Sequence, residues 1–289
     1  MYDKIFHSTA ARLALTMLLL LTLVSGLLSL STVRSSAAVT PSSSQTVNGA
    51  TVTNAYYYKF NNSYGAYFKK GQKGQYTLTS GDKQKLVNKL WAHYKQYYPD
   101  KKSITDMVNS QISRSWGGSC FGMCSTIALN RLGQINIRTY TKSKGTGRQL
   151  NKAADPKTKN AVKSAINYYQ VSFGYTSANR VYYYKKDSNW TAGLKTVLAN
   201  AKKKRLQIFD FYWKEKGNYV GHATLVKTYM KKQGNWYYLA TYDPNYPGKK
   251  TFVRISTSFK TCTVQYYPTS DFIDVTTNLS GFSKIAINR

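Results

Sequence analysis

The chain has 289 residues, with 42 Lys and Arg against 11 Asp and Glu, a net charge of +31. Its 42% hydrophobic residues exclude a disordered polyelectrolyte, and the length allows one or two domains with a sizeable core. The cations are spread along the whole chain with no recognition motif beside them, which argues against specific nucleic-acid binding and leaves a general attraction for polyanions.

The N-terminus reads as an export signal. Lys4 and Arg12 precede an apolar run over residues 13–30, and Ser36, Ala37 and Ala38 offer a small-residue cleavage site, so residues 1–38 are expected to be removed. Residues 39–54 are rich in Ser and Thr without hydrophobic periodicity and read as a flexible linker. Residues 55–108 form an N-terminal extension or a pro-segment, and residues 109–289 the catalytic body. An exported chain of this charge suits an anionic cell wall or membrane surface. The sequence does not specify an oligomeric state.

Within the extension, residues 80–98 carry Leu86, Leu90, Trp91 and Tyr94 behind a Ser cap, an amphipathic helix that Pro99 would end. The segment SWGGSCFGMC, residues 115–124, is a Gly-Gly turn running into an apolar stretch, a helix expected over residues 120–132 and stopped by Gly133. A thiol on the first residue of that helix would meet unpaired N–H groups and the positive end of the helix dipole, both favouring a nucleophilic thiolate. Cys120 is therefore the candidate nucleophile. Asp155 and Pro156 read as a further helix start, and Ser188 as the cap of a helix through Leu194, Val197 and Leu198.

Past the basic run 202–205, which suits a helix C-terminus, the texture changes to short alternating or apolar segments. Strands are expected over residues 206–213, 219–230, 235–242, 251–255, 261–267 and 271–275. His222 opens the apolar run of VGHATLVK, residues 220–227, and is the candidate base. Asp243 stands in YDPNYPG, residues 242–248, at a strand end before a Pro turn, suited to hold an imidazole in one tautomer. Of the other histidines, His7 falls in the export signal, and His93, in the helix over residues 80–98, reads as structural. The expected fold class is α+β, with a helical lobe carrying Cys120, an antiparallel sheet lobe carrying His222, and a cleft between them. The three cysteines, Cys120, Cys124 and Cys262, leave at least one thiol free, and whether Cys124 and Cys262 bridge is open.

GGSCFGM, GHATLVKTY and YDPNYPG, in that order, resemble the papain-like cysteine peptidases, most closely their bacterial C39-like branch. The resemblance spans roughly residues 109–267. It implies a papain-like two-lobed fold and peptide-bond hydrolysis of a peptide or protein substrate with Cys120, His222 and Asp243 as the triad. It also implies Asn245 as a reserve third member, and no cofactor or metal. The family usually places an oxyanion-hole Gln six residues before the Cys, where this chain has Arg114. Gln111 is the nearest Gln, and Asn109 is an alternative donor.

Three other readings share these residues. A transglutaminase-like acyl transferase has the same Cys, His, Asp order, with Gly133 and Arg138 after the Cys helix, but this chain has Thr224 where a Trp often follows the His. A peptidoglycan hydrolase of the NlpC/P60 or CHAP kind would suit the charge. A non-catalytic surface-binding protein could keep the fold alone.

Overall fold

The computed structural model describes residues 45–47, 50–52, 54–135, 149–172, 181–184, 186–215, 218–265, 272–275 and 281–285. Residues 1–38, and Arg138, lie outside them. Among the described residues no helix is long and apolar enough to cross a membrane.

Mixed helix and antiparallel sheet make this an α+β protein. A short antiparallel pair, β1 (Gln45–Val47) with β2 (Ala50–Val52), ends the linker segment. Then come α1 (Tyr64–Tyr67), α2 (Ser80–Tyr94), α3 (Lys101–Ile112), α4 (Cys120–Arg131), α5 (Asn160–Val171) and α6 (Lys186–Lys202), with β3 (Val181–Tyr184) between the last two. The remaining strands are β4 (Gln207–Glu215), β5 (Asn218–Gln233), β6 (Trp236–Tyr242), β7 (Thr251–Ser256), β8 (Cys262–Val264), β9 (Ile273–Asp274) and β10 (Gly281–Ile285). With β3 they form one sheet in the order β3-β10-β4-β5-β6-β7-β8-β9, a meander from β4 to β9 with β10 inserted antiparallel between β3 and β4.

Helix boundaries differ from the sequence reading at three places: α6 begins at Lys186, so Ser188 lies within its first turn instead of capping it, and the other two differ for local reasons. The cap of α2 is Thr79, whose hydroxyl accepts the Asp82 N–H, and the helix ends at Tyr94, short of Pro99. At Asp155 the chain closes one turn, its carbonyl accepting from Thr158 and Lys159, then extends at Lys159 before α5 begins. The sequence reading passed over α3. Asp100 caps it by accepting the Ser103 N–H, and Ile104 and Val108 bury its inner face.

Three buried clusters place the site. The first surrounds α4, whose residues 121–130 are all buried, as expected of a helix sealed on every side. Phe121, Met123, Cys124, Ile127 and Leu129 pack there against Ile208, Ala223, Leu225 and Tyr242 of the sheet, and against Tyr57, Tyr58, Phe60, Tyr67 and Phe68 from the extension. The second joins α6, through Leu194, Val197, Leu198 and Ala201, to Phe209, Phe211, Val226, Leu239 and Val253. The third holds α2, α3 and α5 together through Leu86, Leu90, Ile104, Val108 and Tyr168.

Gly122 lets α4 and α5 approach closely. A Cβ there would lie 2.1 Å from the Ile166 carbonyl oxygen, a backbone atom that cannot swing aside. The extension is tied to α4 as well: the Tyr58 hydroxyl donates to Thr126 Oγ1 at 2.9 Å, and the Tyr57 ring stacks on Tyr242 with centroids 5.1 Å apart.

Candidate active site

Cys120 is the first residue of α4, preceded by the loop 115–119. Side chains from three other parts of the chain hold that loop. Tyr76 donates its hydroxyl proton to the Gly118 carbonyl and accepts the Gly117 N–H. Gly118 has a φ of 120°, a conformation side chains rarely adopt, which explains a glycine at this corner. Ser119 occupies the cap position yet makes no capping hydrogen bond. Its hydroxyl instead accepts from Trp116 Nε1 and donates to Asn167 Oδ1.

That diversion matters for the helix N-terminus. The Gly122 N–H is taken by Gln170 Oε1 and the Met123 N–H by the Ser119 carbonyl. The Cys120 N–H has no partner among the described residues and, with the helix dipole, offers positive potential beside its own sulfur.

His222 lies on β5 directly opposite Phe211 of β4, their rings edge to face at 5.6 Å. Its Nε2–H donates to Asp243 Oδ1 at 2.8 Å, and both side chains are almost wholly buried. The Cys120 sulfur is also hydrogen-bonded to His222, which leaves Nδ1 as the ring nitrogen facing it. Burial works to lower the His222 pKa. The charge and hydrogen bond of Asp243, followed by those of Cys120, outweigh it and push the value up to about 10. An imidazole so placed stays protonated at neutral pH.

Asp243 follows the end of β6, and its Oδ1 also accepts the Asn245 N–H at 2.8 Å. Its second oxygen, Oδ2, is buried without a hydrogen-bond partner among the described residues. Cys124, one turn further along α4, donates to the Ala223 carbonyl, and burial raises its pKa well above the usual thiol value. Burial does the same to Cys262. None of the three cysteines is in a disulfide, and of the three only Cys120 is incompletely buried.

Cys120, His222 and Asp243 are thus brought together from α4, β5 and the end of β6. Asn245 stands beside Asp243 through its backbone. Gln111 falls in the last turn of α3 and, among the described residues, is not joined by a hydrogen bond to Cys120 or to the loop before it. Asn109 accepts the Ser113 N–H through its carbonyl, closing the same helix. His93 is exposed in the last turn of α2, against Tyr94. The sequence reading did not single out Tyr76, Asn167, Gln170 or Asn62, whose amide Oδ1 accepts the Ser119 N–H at 2.7 Å. Only folding gives these polar side chains their role, and no local motif marks them. No group of three or more metal-ligating side chains is present among the described residues. Comparison with family models, curated proteins and solved structures finds no match for this chain.

Proposed function

We propose that this protein is an exported cysteine peptidase of papain-like, C39-like type, hydrolysing peptide bonds through Cys120, His222 and Asp243. The observation that carries this reading is the buried His222, bonded on one nitrogen to Asp243 and on the other side to a cysteine at a helix N-terminus. A protonated imidazole next to the sulfur and the N–H of Cys120 at the start of α4 both stabilise the thiolate form of the nucleophile.

In the first step the Cys120 sulfur attacks the carbonyl carbon of the scissile amide, and the Cys120 N–H donates to the developing oxyanion. His222 gives its Nδ1 proton to the leaving amine, which breaks the C–N bond and leaves a thioester. Neutral His222 then takes a proton from water, whose oxygen attacks the thioester; the thiolate leaves and the protonated imidazole is restored. Asp243 holds the ring in one orientation throughout and stabilises its positive charge.

Export follows from the N-terminal signal over residues 1–38, and the charge left after its removal, 39 Lys and Arg against 10 Asp and Glu or +29, favours association with an anionic cell wall or membrane surface.

The test is mass spectrometry after iodoacetamide treatment at about pH 6, where an ordinary thiol of pKa about 8.5 is unreactive. Selective alkylation of Cys120, lost in His222→Ala, supports the activated thiolate. A Cys120 no more reactive than in His222→Ala would overturn the peptidase reading.

A further inference from the structure

The extension contributes more than packing to this site. Asn62 is 8% exposed, and its short amide reaches both halves of the catalytic constellation. Its Oδ1 accepts the N–H of Ser119, the residue immediately before Cys120, at 2.7 Å. Its Nδ2 donates to Asn245 Oδ1 at 3.3 Å, and its own backbone N–H donates to the Pro244 carbonyl at 2.8 Å. Asn245 in turn donates its N–H to Asp243 Oδ1, the oxygen that holds His222. The orientation of the amide is set by its surroundings, since the Ser119 N–H can only donate.

We infer that Asn62 is a positioning residue that fixes the N-terminus of α4 relative to the Asp243 turn, and through that the separation of Cys120 from His222. The inference rests on the proposed roles of those two residues. An amide suits the task because one rigid planar group supplies an acceptor and a donor at fixed spacing. Asp lacks the donor, and Gln is longer by a methylene. The space is closely bounded on the Gly118 side, where a Cβ would come within 3.0 Å of Asn62 Nδ2. Nucleophile and base must be held within about 0.5 Å of their productive geometry, and a shift of about 1 Å costs on the order of a hundredfold in rate. Residues 57–68 therefore belong to the working site: Asn62 is carried between Tyr58 and Phe60 on one side and Tyr67 and Phe68 on the other, all buried in the cluster around α4.

The experiment measures the iodoacetamide alkylation rate of Cys120 from about pH 5 to 9. It compares the full chain with Asn62→Ala, Asn245→Ala, the double variant and His222→Ala, with circular dichroism and melting curves as a check on folding. The expected result is a folded Asn62→Ala whose alkylation at about pH 6 falls roughly tenfold, with a pH profile displaced toward that of His222→Ala. Asn245→Ala, at a half-buried position, cuts the same link from the other side and serves if Asn62→Ala does not fold. The double variant should be no slower than Asn62→Ala, since the hydrogen bond that Asn245→Ala removes is already lost in Asn62→Ala. A folded Asn62→Ala with the parental profile, or single effects that add in the double variant, overturns the inference and leaves the peptidase reading intact. A parental profile in His222→Ala overturns the peptidase reading, and the inference with it.

Discussion

Replacing His222 and Asp243 together, as His222→Gln with Asp243→Asn, should remove a loss of stability that the parent suffers at alkaline pH. In the folded chain the imidazole is buried, which alone would lower its pKa, yet Asp243 and then Cys120 raise it from 6.5 to about 10. Between those values the folded state keeps a proton that the unfolded state has lost. The folded pKa is the higher one, so this contribution is complete below about pH 6.5 and disappears as the pH climbs through about 10. At about 1.4 kcal/mol per pH unit the span corresponds to about 5 kcal/mol, on the order of 10–20 °C in Tm for a domain of this size. The assay is thermal unfolding from about pH 6 to 10 in a Cys120→Ser background, which takes the thiol out of the comparison. That background also removes the part of the rise due to Cys120, so about 5 kcal/mol is a ceiling. Lysines and tyrosines titrating in the same range are common to both proteins and cancel in the difference. The parent should lose several degrees more than the double variant across this range. Parallel curves would refute a His222 held protonated by Asp243.

The remaining predictions probe the packing that builds the site. Gly122→Ala should cost more than about 3 kcal/mol or prevent folding, because its Cβ would strike the Ile166 carbonyl, whereas Gly81→Ala, with open space around it in α2, should be neutral or stabilising by up to about 1 kcal/mol; chemical denaturation of both compares them. Cutting the chain after residue 68 should unfold it rather than activate it, since Tyr57, Tyr58, Phe60, Tyr67 and Phe68 are buried at about 2 kcal/mol each, comparable with the whole stability of a domain. Activity surviving proteolytic removal of that segment would show it to be a pro-segment. Thiol titration should find three reactive groups in denaturant and one fast group, Cys120, in the native protein, because Cys124 and Cys262 are buried in separate clusters.

Much of the second half was legible because its physics is local. Alternating and apolar runs broken by Gly, Pro and Asn mark strands, and the observed β4 to β7 lie within a few residues of the expected segments. The helix that Cys120 opens was equally plain: a Gly-Gly corner at one end and Gly133, at a φ of 70°, at the other bracket an apolar run. The α3 pattern of Ile104, Met107 and Val108 behind Asp100 carries a helix signal too, hidden in a polar and basic stretch. The long β5 runs to Gln233 through two irregularities in its pairing with β6, which depend on its neighbours rather than on its own residues.

By itself the sequence determined which residue types could do the chemistry and on what local element each would sit: Cys120 at a helix start, His222 in an apolar strand, Asp243 at a strand-end turn. Hydrogen bonds with neighbours in sequence and the period of apolar residues set those, and both act over a few residues. Whether the three meet is decided by side chains distant in the chain. Tyr76 and Asn167 hold the loop before Cys120, and Asn62 joins that loop to the Asp243 turn across 57 residues on one side and 183 on the other. A hydrogen bond between such positions exists only once burial in the cluster around α4 has brought them together and removed the water that would otherwise take their place.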